Sequence, residues 1–179
     1  MGVADELNRV FDAAENELFR LETLPSYDVP GEAKQTERYA AGELFPDPPQ
    51  PTAWTEEIRS LVTSGKRMPH VRLITEPLNL YLCGAVEWFY TYHAAAGREI
   101  FILSPGSELA AEAERVGDYW MFDSTTVALM RYDQAGDFLG IDAVREPAEV
   151  AYYVELRDRL LAQAEPFQQW LAGWRQRAR

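Results

Sequence analysis

The sequence predicts an α/β fold of the α+β class, with a mixed sheet of about five strands flanked by N- and C-terminal helices. Two short apolar segments, near Val71 and after Arg98, enclose an amphipathic helical stretch, and this pattern predicts a parallel strand-helix-strand crossover. Three extended segments separated by turn residues follow residue 117 and predict an antiparallel meander. Both ends of the chain carry the three- and four-residue apolar spacing of helices.

The N-terminal region is predicted to be helical. Apolar residues such as Leu7, Leu18 and Leu21 recur at helical spacing and predict one helix over residues 4–20, ended by Pro25. A second short helix is predicted over residues 32–41.

A proline-rich stretch separates this region from the third predicted helix. Residues 45–53 hold four prolines in nine residues and predict a stiff, extended connection. The third helix covers residues 54–64, with Thr52 or Thr55 as its cap. Since each flanking helix has a single apolar face that needs the later sheet, we place no boundary here and treat residues 1–179 as one domain.

The centre of the chain is the crossover itself. The first strand covers residues 71–74, and Pro77 is expected at the first position of the helix that follows. Gly97 ends this helix, and residues 98–103 form a strand whose continuous apolar run indicates a central position in the sheet.

The meander follows a short helix over residues 108–115 that Ser107 caps. Its strands are predicted over residues 118–123, 127–132 and 137–144. In the first of them, Trp120 and Phe122 fall on one side, opposite Tyr119 and Met121. A last helical region begins at Pro147 and is broken at Pro166, but the sequence does not fix which face of the sheet is covered.

Composition limits the function classes. The formal net charge is −12, which argues against direct nucleic-acid binding, because phosphate contacts rest on Lys and Arg. The negative charge has two possible roles: it keeps the protein soluble, or it forms an acidic surface that binds a basic partner. A single cysteine, the lack of a secretory signal and the lack of an apolar run near the ~18 residues of a membrane span predict a cytoplasmic protein without membrane contact.

No convincing catalytic set emerges from the residue pattern. The chain has two histidines, His70 and His93, and neither has another ligand at metal spacing, so we expect no metal site and no cofactor. Cys83 falls within an apolar helix and is interpreted as buried packing. The aspartates of the meander are interpreted as turn caps and solvated groups, with an acid–base pair or a cation site as the alternative.

Residues expected to contact a ligand or partner combine charge or aromatic surface with positions at strand ends or on the central helix. They are Arg72, Glu76, Tyr81, Trp88, Arg98, Asp118, Trp120 and Asp123. The aromatic residues among them either pack in the core or line a pocket.

Two motifs are the most specific parts of a family resemblance. They are Arg72-Leu73-Ile74-Thr75-Glu76-Pro77-Leu78 and Asp118-Tyr119-Trp120-Met121-Phe122-Asp123. With Phe19-Arg20-Leu21-Glu22, Tyr27, Trp54 and Tyr81, they resemble the uncharacterised actinobacterial proteins grouped as DUF6879, over about residues 10–170. No enzymatic activity defines that family. The resemblance implies a partner, because members are often encoded beside helix-turn-helix regulators of the Xre type.

The chain departs from that pattern at two charged positions. The family tends to have Tyr-Leu-Arg-aromatic-Glu where this chain has Tyr81-Leu82-Cys83-Gly84-Ala85, and Gly-Glu-Asp-Ile where it has Gly97-Arg98-Glu99-Ile100. A contact made by those charges in other members is therefore in doubt here.

The crossover and the Asp-bearing hairpin also resemble half of a phospholipase D-type fold. That chemistry needs a His-x-Lys set, but His70 precedes Val71-Arg72 and His93 precedes Ala94-Ala95, so no catalytic residue is transferred.

Three hypotheses follow. The first is a non-enzymatic interaction or sensor protein that acts with a helix-turn-helix transcriptional regulator. The alternative is a small-molecule-binding protein or an enzyme of unknown reaction, with a pocket between the central helix and the aromatic hairpin. The third is a homodimer formed through the exposed edge of the hairpin.

Overall fold

A computed structural model describes residues 3–28, 32–43 and 52–177, and it has one mixed sheet. The strands are β1 (Leu18–Glu22), β2 (Pro69–Leu73), β3 (Glu99–Leu103), β4 (Tyr119–Phe122), β5 (Thr126–Tyr132), β6 (Phe138–Val144) and β7 (Glu165–Pro166). They lie in the order β6-β5-β4-β1-β2-β3-β7. The pairs β1–β2 and β2–β3 are parallel, and the other four pairs are antiparallel.

Helices cover both faces of the sheet. They are α1 (Val3–Ala13), α2 (Glu32–Ala40), α3 (Ala53–Thr63), α4 (Leu80–Gly84), α5 (Tyr90–Ala95), α6 (Glu108–Val116), α7 (Pro147–Gln163) and α8 (Phe167–Arg177). A π-helical segment, Ala85–Phe89, joins α4 to α5, and the three pieces together are called the central helix. Most of the predicted proline-rich connection over residues 45–53 lies outside the described residues. No helix within the described ranges is both long and apolar enough to cross a membrane.

The prediction of about five strands is wrong, because the sheet has seven. The predicted helix over residues 4–20 stops at Ala13, and β1 is the middle strand of the sheet. Leu18 and Leu21 fit the helical stripe of the N-terminal segment, but Phe19 lies off that stripe and is also fully buried. Burial on both faces is a requirement of a central strand, and it overrides the local periodicity. β7 has two residues, which is too short for a periodic signal.

The predicted crossover is confirmed. β2 and β3 pair in parallel from Pro69↔Glu99 to Leu73↔Leu103, with the central helix between them in sequence. The helix begins later than predicted, since Pro77 lies outside it. Asn79 is its cap, and the side-chain oxygen of Asn79 accepts a 2.8 Å hydrogen bond from the backbone N–H of Leu82.

Gly97 ends the central helix and determines how closely it approaches α3. Its φ of +105° lies in the left-handed region, and a Cβ atom there would lie 2.8 Å from Cγ1 of Val62. Only glycine satisfies both conditions. The close approach sets Arg98, the next residue, beside Trp54 of α3.

The two faces of the sheet differ in chemistry. On β1 to β4 the odd-numbered residues, such as Phe19, Val71 and Tyr119, form an apolar layer against α6 and α7. The even-numbered residues face α1, α3, the central helix and α8. The opposition of Trp120 and Phe122 to Tyr119 and Met121 is confirmed by their assignment to these two layers.

Candidate functional site

The even-numbered face carries a buried layer of charged and polar side chains. Arg20 pairs in register with Trp120 on one side and with His70 on the other, and His70 pairs with Ile100. The charged and polar groups thus lie between two apolar clusters, one around Trp120 and one around Ile100. The buried ionisable residues of this layer include Arg20, Tyr27, His70, Arg72, Tyr90, His93, Arg98 and Asp118.

Asp118 is the best-satisfied member of this layer. Its carboxylate accepts hydrogen bonds from Nη2 of Arg20 at 2.7 Å, from the hydroxyl of Tyr27 at 2.7 Å, and from the backbone N–H and hydroxyl of Thr23, both at 2.8 Å. These bonds tie the segment after β1 to the start of β4. Asp118 therefore holds the guanidinium of Arg20 in place.

Arg72 is fully buried and stabilises the same segment. Its Nη1 donates to the Tyr27 hydroxyl at 2.9 Å, its Nη2 donates to the carbonyl oxygen of Leu24, and its guanidinium carbon lies 5.0 Å from the Tyr27 ring centroid. Burial would lower the pKa of Arg72, but the surrounding tyrosines and Glu22 raise it above its usual range. Arg72 thus has two neutral hydrogen-bond partners, although its Nε has no partner among the described residues.

Glu22 joins the histidine to the central helix. Burial would raise its pKa, but His70 and the guanidiniums of Arg20 and Arg72 lower it well below its usual value, so the carboxylate is ionised. It accepts a 3.0 Å hydrogen bond from Nε2 of His70 and a 3.2 Å bond from the Tyr90 hydroxyl. An ionised carboxylate only accepts, so the proton of His70 lies on Nε2.

Both histidines are neutral near pH 7. Burial, followed by the positive charge of Arg98, lowers the pKa of His70 to about 4 and that of His93 to about 3. Neither contributes positive charge to the layer at that pH.

Arg98 differs from the other two buried arginines. Its guanidinium carbon lies 5.4 Å from the Trp120 ring centroid and 5.8 Å from that of Trp54. Among the described residues it has no carboxylate within ion-pair distance. Burial lowers its pKa to about 10, and the attraction of Glu22 only partly opposes this.

These groups surround a cavity of about 230 Å³ between the sheet and the central helix. The cavity is open on one side, where Tyr81, Tyr132 and Phe138 contribute to its wall. Its charged and polar wall consists of Arg20, Glu22, Asp28, His70, His93 and Arg98. Its aromatic wall consists of Tyr27, Trp54, Tyr81, Phe89, Tyr90, Tyr132 and Phe138.

Several buried polar atoms beside the cavity have no hydrogen-bond partner within the described part of the chain. They are Nη1 of Arg20, Nε and Nη2 of Arg98, and Nδ1 of His70 and of His93. Buried polar atoms in native proteins are nearly always paired, so these atoms require a partner outside the described residues, either water or a ligand.

The π-helical segment contributes to the same wall. Phe89 is its last residue and Tyr90 follows it, and both line the cavity. Single π-helical turns occur often at functional sites, because they change which side chains a helix presents.

The structure brings five of the eight predicted contact residues to this region. Arg98 and Tyr81 line the cavity, while Arg72, Asp118 and Trp120 contact the residues that do. The remaining three lie elsewhere. Glu76 is exposed and pairs with Arg177 at 2.8 Å, Trp88 packs against Tyr39, and Asp123 accepts hydrogen bonds at the end of β4.

Sequence reasoning missed Arg20, Glu22, His70 and His93 as site residues. Arg20 and Glu22 were missed because the start of β1 was predicted to be helical, so their position on one face of a strand was not recognised. The usable signal was alternation, because Arg20/Glu22, His70/Arg72 and Asp118/Trp120 each occupy every second position of a strand whose other positions are apolar.

Other candidate sites carry less chemistry. A depression of about 950 Å³ along α7 is larger, but its charged residues, such as Arg145, Glu155 and Asp158, are not buried. No group of three or more His, Cys, Asp or Glu in the described ranges could hold a metal ion. Cys83 is half-buried rather than buried as predicted, because it lies at the boundary between the central helix and α2.

The chain was compared with models of known protein families and with curated proteins. A family model described as "Domain of unknown function (DUF6879)" matches residues 5–172, which is nearly the whole chain. No curated protein matches the chain. The chain belongs to the DUF6879 family.

Proposed function

We propose that this DUF6879 protein is a small-molecule-binding protein and that its ligand occupies the cavity between the central helix and the sheet. The observation that carries the proposal is the set of buried, unpartnered nitrogen atoms of Arg20, Arg98, His70 and His93 around a cavity of about 230 Å³. A pocket with an aromatic wall and a few convergent polar groups is the usual form of a ligand site.

The wall favours binding without a covalent step. Among the described residues that line the cavity there is no Ser, Thr, Cys or Lys, the side chains that most often attack a substrate. Arg20 lies on β1 and Arg98 lies directly before β3, and both guanidiniums lie beside the ring of Trp120. Rigid, already ordered groups of this kind lower the entropy cost of binding.

A fragment screen by ligand-observed NMR on the full chain tests the proposal, with a matched pair of variants as control. Phe138 lines the mouth of the cavity, and the neighbouring Leu139 does not, although both are exposed. We expect fragments that bind the unaltered protein to bind Phe138→Ala several-fold more weakly and Leu139→Ala equally well. A library that spans positive, neutral and negative fragments and yields no binder would refute the proposal, as would equal losses in the two variants.

The role as an interaction or sensor protein is the second part of the proposal. Ligand occupancy would alter the central helix and the β5–β6 hairpin, whose exposed Leu80 and Leu139 are available to a helix-turn-helix regulator. Co-purification with a helix-turn-helix regulator of the Xre type, with and without a fragment that binds, tests that part. The origin of this protein in actinobacteria and its resemblance to half of a phospholipase D-type fold remain predictions from the sequence.

A further inference from the structure

The charges of the buried layer do not balance. Three guanidinium groups, of Arg20, Arg72 and Arg98, are buried, but within the described part of the chain only two carboxylates, Asp118 and the half-buried Glu22, lie among them. The neutral histidines add no charge near pH 7. One positive charge is therefore in excess in a region where burial makes an unpaired charge costly.

Among the described residues, Arg98 is the buried guanidinium with the fewest polar partners. Arg20 is within 2.7 Å of Asp118 and 3.4 Å of Glu22, and Arg72 bonds to the Tyr27 hydroxyl and the Leu24 carbonyl. Arg98 is the guanidinium whose nearest described partners are aromatic rings. Asp28 also lines the cavity, but it is exposed, so water and salt screen its charge.

The unpartnered donors belong to two arginines that line the same cavity and lie beside Trp120. Nε and Nη2 of Arg98 and Nη1 of Arg20 have no partner, and both guanidiniums lie within 5.6 Å of the Trp120 ring centroid. Guanidinium donors in this arrangement match the oxygens of a carboxylate or a phosphoryl group.

The remainder of the wall limits the size and shape of the ligand. Tyr81, Phe89, Tyr90, Tyr132 and Phe138 offer aromatic surface. The volume of about 230 Å³ is somewhat larger than the ~150 Å³ apolar cavity that accepts a benzene molecule. One flat ring with a small substituent fits this space.

We infer that the ligand is a small aromatic oxyanion, whose carboxylate or phosphoryl oxygens bind Arg98 and Arg20 and whose ring lies against the tyrosine and phenylalanine side chains. This inference rests on the proposed function, since it names the chemical class that the same cavity binds. The ligand supplies the missing negative charge of the buried layer.

Matched probes on the full, unaltered chain test the inference by isothermal titration calorimetry. The probes are benzoate, phenyl phosphate, the uncharged benzamide and inorganic phosphate. We expect benzoate or phenyl phosphate to bind at least about tenfold more tightly than benzamide, because a hydrogen bond to a charged group is stronger than one to a neutral group. The tighter of the two anions identifies the group, and inorganic phosphate reports how much the ring contributes.

Arg98→Gln should abolish the preference for the anion, whereas Arg59→Gln, on the exposed surface of α3, should leave it unchanged. The comparison of benzoate with benzamide on the unaltered chain does not depend on whether the variant folds. If benzamide binds as tightly as both anions, the anion assignment is overturned and the proposed function stands. The same holds if Arg98→Gln still prefers the anions to benzamide. Failure of every probe and of the whole fragment library would overturn both.

Discussion

The hydroxyl of Tyr27 lies 2.7 Å from Oδ2 of Asp118 and donates a hydrogen bond to it, although 91 positions separate the two residues. The Tyr27 hydroxyl oxygen in turn accepts a 2.9 Å hydrogen bond from Nη1 of Arg72. A single hydroxyl group thus joins a buried cation to a buried anion and fixes the segment after β1 over the cavity.

Tyr27→Phe should therefore lower the free energy of unfolding by about 2 kcal/mol, because it leaves a buried acceptor and a buried donor without their partner. Tyr152→Phe is the matched control. The Tyr152 hydroxyl also bonds to a carboxylate, Glu112, at 3.0 Å, but this contact is exposed, and we expect its loss to cost about 0.5 kcal/mol or less. Urea unfolding followed by tryptophan fluorescence measures both. Equal losses in the two variants would contradict the role given to Tyr27.

Asp123 is expected to be a structural residue. Its carboxylate accepts three backbone hydrogen bonds of 2.7–2.8 Å, from the N–H groups of Glu15, Asn16 and Glu17, which connect α1 to β1. Asp123→Ala should destabilise the fold by about 2–3 kcal/mol, whereas Asp142→Ala, which removes an exposed pair with Arg131, should cost less than about 1 kcal/mol. Chemical denaturation distinguishes the two. Loss of ligand binding without loss of stability in Asp123→Ala would show that the assignment is wrong.

Arg20 and Arg98 should respond in opposite ways to the same substitution. Arg20→Met breaks a buried ion pair with Asp118 and should destabilise the ligand-free protein by about 3–5 kcal/mol. Arg98→Met removes an uncompensated charge and keeps the aliphatic contact with the two tryptophans, so its stability should stay within about 1 kcal/mol of the unaltered protein or exceed it. Thermal and urea unfolding without ligand provide the measurement. A loss in Arg98→Met as large as that in Arg20→Met would mean that Arg98 has a partner in the fold.

Stability should fall as the solution becomes mildly acidic. Burial, then Arg98, lowers the folded-state pKa of His70 to about 4 and that of His93 to about 3, from the 6.5 of a free side chain. Below pH 6.5 the unfolded chain therefore binds protons that the folded chain does not, and the free energy of unfolding falls until the folded-state pKa values are reached. The contribution of both histidines is complete above pH 6.5; that of His70 is lost between pH 6.5 and about 4, and that of His93 between pH 6.5 and about 3.

The expected slope is up to about 2 kcal/mol per pH unit near pH 5.5, since two protons are involved. Urea unfolding at several pH values measures it, and His93→Gln should roughly halve the part that the histidines contribute. An NMR titration in which either imidazole protonates near pH 6.5 in the folded state would contradict this prediction.

The parts of the fold that sequence predicted well have strong local signals. The crossover from β2 to β3 could be predicted because Gly97 and the apolar runs mark its pieces. The two sides of β4 could be predicted because alternation is a property of any strand. Ser107 was predicted as a helix cap and Thr52 was one of two candidates, and in both cases the side chain accepts a hydrogen bond from a backbone N–H three residues later.

The parts that sequence did not predict depend on distant contacts. Leu18 and Leu21 fit a helix as well as a strand, and only pairing with β2 and β4 decides between them. The cavity combines Arg20, His70 and Arg98, which lie far apart in the chain and meet only through the sheet order. His70 and His93 were considered as metal ligands. No sequence pattern near either histidine indicated that it lines a cavity with charged residues.

Successive side chains on β1 to β4 point to opposite faces of the sheet, so the two faces are subject to different constraints on substitution. Odd-numbered positions there can drift among apolar residues under selection for folding alone. On the opposite layer, Arg20 and Arg72 are bonded to Asp118 directly or through Tyr27, so substitutions of these residues also cost stability. Arg98 has no such bond among the described residues, so related chains that differ in what they recognise should differ first at position 98.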